Sequence, residues 1–201
     1  MNPFDTQPQA LGLRLATGFA KIAVALRHRA WQAGHPRDLT PTQGEVLVLL
    51  QQRPGVTLTE VGAVLGVKAS TASEAVSTLE RKGLLKKERS PEDRRALQLF
   101  LTPEGEAEAA AAALWPDFLA LAVGELPEEE ARVLMRTLQR MILSLQRRGK
   151  IPVSRMCFGC RFFRQHVHGQ GPRPHHCAFV DAPFGEADLR FDCQDFVSAT
   201  A

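Results

Sequence analysis

The sequence lacks several features that would place it in large classes of protein. It contains no apolar run of about 18 residues, so no membrane-spanning helix is predicted. Its first residues lack the basic start and apolar stretch of a secretory signal, so we expect a cytoplasmic protein. A glycine-rich phosphate loop, a nucleophile elbow and paired carboxylates in a plausible cleft are also missing. The sequence therefore does not predict an enzyme.

Charge of one sign is missing from two long segments. No Lys or Arg lies between Ala96 and Ala131, and no Asp or Glu lies between Ala131 and Val180. Such blocks usually form solvated helix faces. The formal net charge of +3 is too small to indicate a nucleic-acid partner by itself. The basic block does, however, contain three of the four cysteines, which all lie between Cys157 and Cys193.

Apolar spacing predicts four helices in the first half of the chain, over about 9–32, 41–52, 59–65 and 70–82. The first carries an apolar stripe at helical spacing: Leu11, Leu15, Phe19, Ile22 and Leu26. Thr40 and Thr59 are expected to cap the second and third helices, and Gly83 to end the fourth. The inward stripe of the fourth is Ala72, Val76 and Leu79.

Two strands and two long helices are predicted next. The strands run from Leu84 to Glu88 and from Ala96 to Leu101, joined by a charged hairpin tip. The helices run roughly over 103–123 and 127–148, and Pro116 is expected to kink the first of them.

This order of elements is that of a winged helix-turn-helix, so we predict a mainly α fold with a small β-wing. The second helix of the motif, which is the helix predicted over 70–82, can enter the major groove of DNA. Its outward face is small and polar, and the wing tip is basic. The predicted DNA-binding residues are Lys68, Ser70, Thr71, Ser73, Glu74, Ser77, Arg89 and Arg94. Serine and threonine are also ordinary capping and surface residues, so the wing and turn are needed for this interpretation.

The stretch from Leu39 to Glu106 resembles the MarR family of bacterial transcription regulators, and flanking helices extend the resemblance to about Arg148. Its most specific segments are LERKGLL, a charged wing containing DRR, and LTPEG. The resemblance implies a homodimer that reads a palindromic operator in double-stranded DNA, with the N-terminal and last two helices forming the interface. It also implies a possible small aromatic acid as effector.

The same resemblance assigns roles in the wing and the recognition helix. Asp93 and Arg95 would brace the hairpin, and Arg94 or Arg89 would reach DNA. Family recognition helices often carry an arginine where this chain has Glu74, which suggests an altered operator preference.

The four cysteines, Cys157, Cys160, Cys177 and Cys193, predict a metal site in the tail. Thiolates are soft ligands that exclude magnesium and calcium. A zinc site would favour two paired knuckles, whereas here only the first two cysteines are paired. The spacing and the segments CFGCRFF, HHCAF and DCQDF resemble high-potential iron–sulfur proteins, which implies a [4Fe-4S] cluster. Zn²⁺ and unmetallated redox thiols remain alternatives, and His175 or His176 could replace one ligand.

The surroundings of these cysteines suit a cluster but do not select one. Phenylalanines could supply a dry shell for it: Phe158, Phe162, Phe163, Phe179, Phe191 and Phe196. Arg155, Arg161 and Arg164 could offset its negative charge, although a zinc tetrathiolate is an anion too.

Four segments and three hypotheses follow. The segments are an N-terminal dimerisation helix over 1–38, a DNA-binding domain over 39–102, dimerisation helices over 103–150 and a metal-binding tail over 151–201. The first hypothesis is a transcriptional repressor whose cluster senses redox state, oxygen or iron supply. The second is a regulator with structural zinc and a small aromatic effector. The third is an electron carrier that does not depend on DNA.

Overall fold

The computed structural model describes residues 11–90 and 95–199, which form two compact units. The first unit comprises the chain up to Val61 together with Ala69–Phe118. The second comprises Gly62–Lys68 and the chain from Leu119 onward. Each unit has buried apolar side chains of its own, so each is described separately.

Six of the described α-helices contribute to the first unit. Helix α1 spans Leu11–Gly34, α2 Pro41–Gln52, α3 Leu58–Leu65, α4 Ala69–Arg81, α5 Pro103–Ala113 and α6 Asp117–Gly124. The unit contains α1, α2, α4 and α5 together with parts of α3 and α6, and its core lies between three of these helices. Helix α2 packs against α4 and α5. The most deeply buried side chains come from these helices and the wing: Val46, Leu47, Leu50, Val61, Val76, Leu79 and Leu99. Their burial supplies the main stabilisation of the unit.

Capping boxes begin α2 and α3. The Thr40 hydroxyl accepts from the amide of Gln43 at 3.3 Å, and the Gln43 side chain accepts from the Thr40 amide at 3.2 Å. Thr57 and Glu60 form the same reciprocal pair at the start of α3. Thr59 was expected to cap α3, but the helix begins at Leu58 and the cap is Thr57, because only Thr57 stands three residues before the glutamate.

The wing is the antiparallel pair β1, Leu85–Arg89, and β2, Leu97–Leu101. Gly83 adopts φ +71° after α4, a left-handed conformation that lets the chain turn directly into β1. At the base of the wing, directly after β2, the Thr102 hydroxyl caps α5 by accepting from the amide of Gly105. The same hydroxyl donates to the carbonyl of Gly83 at 2.7 Å. One residue therefore joins the wing to the helices on either side.

The region after the wing differs from its prediction. A single helix over 103–123 was expected, but the structure has a turn at residues 114–116 between α5 and α6, Asp117–Gly124. The Pro103–Gly124 stretch is apolar and long enough by composition to cross a membrane. Its two helices have 11 and 8 residues, each shorter than the roughly 20 needed for a span. Pro116 breaks the helix because its ring blocks the preceding turn and its nitrogen lacks a hydrogen.

The second unit combines α7, Glu128–Arg147, with a small module of short elements. Its sheet has the order β3–β4–β5, all antiparallel, formed by Phe163–Arg164, His175–Cys177 and Ala182–Phe184. Two 3₁₀ turns, Cys157–Gly159 and Glu186–Asp188, lie beside α7. Hereafter "the cysteine module" means residues 155–198. Its interior holds Met156, His175 and Leu189, all buried.

Candidate functional sites

Helix α4 separates an apolar face from a polar one. Ala72, Ala75, Val76 and Leu79 are buried, which confirms the predicted inward stripe and adds Ala75 to it. The opposite face is exposed at Ser70, Thr71, Glu74 and Ser77 and half-buried at Ser73. Lys68, immediately before the helix, is exposed as well. The predicted DNA-binding side chains of this region are therefore accessible, with no long side chain except those of Lys68 and Glu74.

The wing places Arg89 at the exposed end of β1, paired with Leu97 of β2. Arg95 is also exposed. Asp93 and Arg94 lie outside the described residues, so their predicted bracing and DNA-contacting roles stay predictions.

Several lysines near the wing are neutralised within the protein. Lys86 pairs with Glu88 at 2.7 Å, Lys87 pairs with Glu80 of α4 at 2.7 Å, and Lys82 pairs with Asp38. The Lys82 ammonium beside Asp38 lowers the pKa of that carboxyl. These three lysines therefore serve local ion pairs, whereas Arg89 of β1 forms no salt bridge with any carboxylate in residues 11–90 or 95–199.

The four cysteines, although spread over 37 residues of sequence, line a single cavity of about 150 Å³. Cys157 and Cys160 come from the first 3₁₀ turn, Cys177 ends β4, and Cys193 follows the second 3₁₀ turn. All four are free and half-buried. The tertiary fold thus brings together the residues that the sequence selected as one ligand set.

Backbone bonds hold the cysteine-bearing segments against each other. The Cys157 amide donates to the carbonyl of Arg190 at 3.1 Å, and the Arg190 amide donates to Cys157 Sγ at 3.3 Å. The Cys193 amide donates to the carbonyl of Arg155 at 2.9 Å. Burial raises the pKa of the Cys157 thiol, opposed by the hydrogen bond from the Arg190 amide. An N–H donor aimed at a sulfur is the arrangement expected around a thiolate that binds metal.

The wall of the cavity is aromatic, but its members differ from those expected. Phe162, Phe163 and Phe179 line it as anticipated, and Phe184 joins them. The other three anticipated phenylalanines lie elsewhere in the module: Phe158, Phe191 and Phe196 do not line the cavity. Sequence spacing cannot separate the two groups because all seven phenylalanines of the tail belong to short, irregular elements.

The arginines expected to offset charge have other contacts. Arg155 pairs with Asp192 at 2.6 Å, Arg161 lies over the Phe162 ring, and Arg164 donates to the carbonyl of Arg161. Arg190, which was not singled out from the sequence, lines the cavity together with two acids. The arginine that lines the cavity, and whose amide donates to Cys157 Sγ, therefore belongs to no motif recognised in the sequence.

Neither histidine beside Cys177 lines the cavity. His175 is fully buried: its Nδ1 accepts from the backbone amide of His166 at 3.3 Å, and its Nε2 lies 3.4 Å from Glu186 Oε1. Burial lowers the pKa of His175, although Glu186 opposes that effect. His176 lies between His168 and Asp181, 3.1 Å from each.

His166, His175 and Glu186 lie close enough to suit a metal ion, with ligand atoms within 4.8 Å of one another. The geometry argues against it, because His175 Nδ1 accepts a hydrogen bond and Nε2 therefore carries the ring proton of the neutral form. Among the described residues, no three cysteine sulfurs meet the same limit.

Comparison with known proteins identifies relatives of the helical part of the chain. A sequence model of the MarR family matches residues 37–96. The transcriptional regulator HosA of Escherichia coli O111:H- is 32% identical over 118 residues, which cover 56% of this chain and 83% of HosA.

Solved structures give the same assignment for the fold. The Staphylococcus aureus MepR–DNA complex is 27% identical, with a TM-score of 0.57, covering 65% of this chain and 97% of MepR. Streptococcus pneumoniae FabT in complex with DNA is 23% identical, with a TM-score of 0.59, covering 67% of this chain and 96% of FabT. The predicted winged-helix fold is thereby confirmed.

HosA is a transcriptional regulator, which confirms the prediction that the chain is not an enzyme. The share of HosA that aligns, together with the matching family model, settles the assignment. The chain belongs to the MarR family of transcription regulators.

Proposed function

We propose that this chain is a homodimeric regulator that binds a palindromic operator, and that its four-cysteine cavity holds a [4Fe-4S] cluster through which it senses redox state or iron. The observation that carries the sensory part is the convergence of all four cysteines on one aromatic-walled cavity. Binding to genomic DNA implies a cytoplasmic protein.

The DNA-binding part rests on α4 and the wing. Ser70, Thr71 and Ser77 offer short hydroxyl side chains on an exposed helix face, so the backbone can approach base edges closely. Arg89 offers a positive charge to the phosphates flanking the site. MepR and FabT, solved in complex with DNA, share the fold that presents these elements.

The homodimer rests on the apolar face of α1. Leu11, Leu15, Phe19 and Ile22 are 64%, 54%, 37% and 40% exposed, although they form a continuous stripe at helical spacing. An exposed apolar stripe of this length is unusual on a monomer. Packing against α1 of a second copy of the chain would bury it. A two-fold dimer then presents two α4 helices to the two halves of a palindrome.

We prefer a cluster to zinc because of the distances between the cysteine sulfur atoms. A zinc ion with four thiolates at about 2.3 Å requires sulfurs about 3.8 Å apart. No three sulfurs of this site come within 4.8 Å of one another, and they enclose a cavity of about 150 Å³. A polyatomic cluster suits that arrangement better than a single ion. The raised pKa of Cys157 also disfavours redox chemistry by free thiols.

The residues present would have distinct roles. Cys157, Cys160, Cys177 and Cys193 would hold the group, which supplies reversible one-electron chemistry when bound. Phe162 and Phe179, whose ring centroids are 5.4 Å apart, would form an apolar side of the cavity. The Arg190 amide donates to Cys157 Sγ and so favours the anionic form of that sulfur.

The test is anaerobic purification followed by iron, sulfide and zinc analysis, with operator binding measured for the loaded, oxidised and stripped protein. We expect iron and sulfide in equal amounts, absorbance near roughly 400 nm, and operator affinity that depends on the state of the cluster. Equal affinity in all three states would reject the sensory role but leave the regulator intact. Zinc without sulfide would instead support a structural metal, with a small aromatic molecule as the effector to be sought.

A further inference from the structure

One face of α7 is packed against the cysteine module through four residues. Arg136, Gln139, Arg140 and Leu143 follow the spacing of a single helix face. Arg136 Nη1 lies 2.9 Å from Glu186 Oε1, and Gln139 Nε2 donates to the carbonyl of Arg190 at 3.1 Å. Arg140 and Leu143 continue the contact toward the first 3₁₀ turn, at Phe158 and Gly159 respectively. The helix is therefore one wall of the module.

Gln139 and Cys157 share a hydrogen-bond partner. The carbonyl of Arg190 accepts both from Gln139 and from the amide of Cys157. The amide of the same Arg190 donates to Cys157 Sγ. Gln139 thus holds the backbone residue that positions a donor on a ligand sulfur, in the way that outer residues orient metal ligands.

The two polar contacts are shielded from water, which makes them costly to break. Gln139 is fully buried on an otherwise amphipathic helix, and the Glu186 side chain is 11% exposed. Arg132, one turn earlier, pairs with Glu128 of the same helix, whose side chain is 80% exposed. Shielded pairs of this kind are worth more than surface pairs, and disturbing one leaves a buried polar group unsatisfied.

We propose that Arg136 and Gln139 are positioning residues that couple occupancy of the four-cysteine site to the order of α7. The proposal rests on the metal-binding function of the site. A loaded site holds Cys157 and the segment from Glu186 to Cys193 in place, and thereby both bonds to α7, from Gln139 to Arg190 and from Arg136 to Glu186. An empty site releases that segment. Because coupling between two sites is reciprocal at equilibrium, weakening these bonds from the α7 side must weaken the affinity of the site for the bound group. We expect faster release of the group as a result.

The test uses full-length protein reconstituted anaerobically with ferrous iron and sulfide. Gln139→Met and Arg136→Gln should lose cluster absorbance to an iron chelator about tenfold faster than the wild type. Arg132→Gln is the matched control and should behave like the wild type, while Arg136→Lys should restore part of the retention because it keeps the charge. Unchanged release rates in both test variants would overturn the proposal.

Hydrogen exchange separates coupling from a general loss of stability. In the wild type, stripping the cluster should reduce amide protection in residues 136–147 of α7. Gln139→Met should show that reduced protection while still loaded, whereas Arg132→Gln should not. Identical protection of α7 in loaded and stripped wild type would reject the coupling, even where the site binds iron and operator affinity responds.

The outcome for the metal itself distinguishes this inference from the proposed function. If the purified protein holds zinc, the same variants are compared by zinc release to a chromophoric chelator. The ratio of each variant's release rate to that of the wild type then tests the coupling. If no metal or cluster binds, both the site and the coupling are rejected. If a cluster binds and α7 responds but DNA affinity does not, only the sensory role fails.

Discussion

Trp115 packs its ring against the backbone of Gly44 in α2 and is itself 8% exposed. A Cβ at position 44 would overlap that ring, and the ring is enclosed by the core of the first unit. Gly44→Ala should therefore lower the free energy of unfolding by about 2 kcal/mol, although alanine is the better helix former. Chemical denaturation monitored by tryptophan fluorescence and circular dichroism measures the change.

The matched control for this substitution is Gly124→Ala at the end of α6. A Cβ there has no heavy atom within 4 Å, so the change should be neutral within about 0.5 kcal/mol. A Gly44→Ala protein as stable as the control would show that Trp115 can move, contrary to the tight packing described.

Two single residues that contact the cysteine-bearing segments, Arg190 and Gln139, belong to no motif that the sequence analysis recognised. Arg190 lines the cavity and donates its amide to a sulfur, yet it stands alone in a stretch without a repeated pattern. Gln139 lies on the buried side of an amphipathic helix, where an apolar residue would be expected. A buried glutamine on such a helix is a signal that can be sought in the sequence, but its partner cannot be named without the fold.

The start of α3 offers a test at the level of single elements. Thr57 caps the helix with Glu60 at its third position, whereas Thr59 lies inside the helix and is exposed. Thr57→Ala should destabilise the protein by about 1 kcal/mol, because it leaves the Glu60 amide without its acceptor. Thr59→Ala should have little effect. Thermal unfolding of the two variants side by side decides which threonine is the cap.

The wing supports a prediction about DNA. Arg89 is exposed at the end of β1 and forms no salt bridge within the part of the chain that the structure describes. If it contacts a phosphate, Arg89→Ala should weaken operator binding and reduce the slope of log affinity against log salt by about one unit. Fluorescence anisotropy over a salt series measures both quantities.

A second arginine controls for loss of charge alone. Arg173 lies exposed in the loop before β4, so Arg173→Ala removes the same charge from the cysteine module. An equal loss of slope in both variants would mean that net charge, rather than a wing contact, sets the salt dependence.

The elements themselves follow from local patterns to different degrees. The stripes of α2 and α4, the cap at Thr40 and the left-handed Gly83 were all readable, since each depends on a few neighbouring residues. The break at Pro116 was underestimated as a kink. Whether a helix continues past a proline depends on packing on both sides, which the local sequence does not contain.

At the scale of the whole molecule, the exposed stripe of α1 predicts self-association. Phe19 lies at its centre, and Phe19→Asp would place a charge in an apolar interface, where it costs several kcal/mol unless paired. We expect the variant to be monomeric at concentrations where the wild type is a dimer. Light scattering coupled to size-exclusion chromatography measures the mass of each.

Lys21→Asp, a charge change on the same exposed helix but off the stripe, should remain dimeric. A dimeric Phe19→Asp protein would place the interface elsewhere, and operator binding by that variant would then be expected to persist. A monomer that still binds a palindrome with wild-type affinity would contradict the proposed two-fold mode of reading.

The sequence by itself determined the family, the order of helices and strands, and the identity of the four thiols, because these depend on patterns within a few turns of chain. Only the tertiary structure decided that cysteines up to 36 positions apart share one cavity, which phenylalanines line it, and that α7 packs against the cysteine module. Short irregular segments carry no periodicity from which direction can be read. Where their side chains point is set by long-range backbone bonds and by burial, and these exist only in the folded chain.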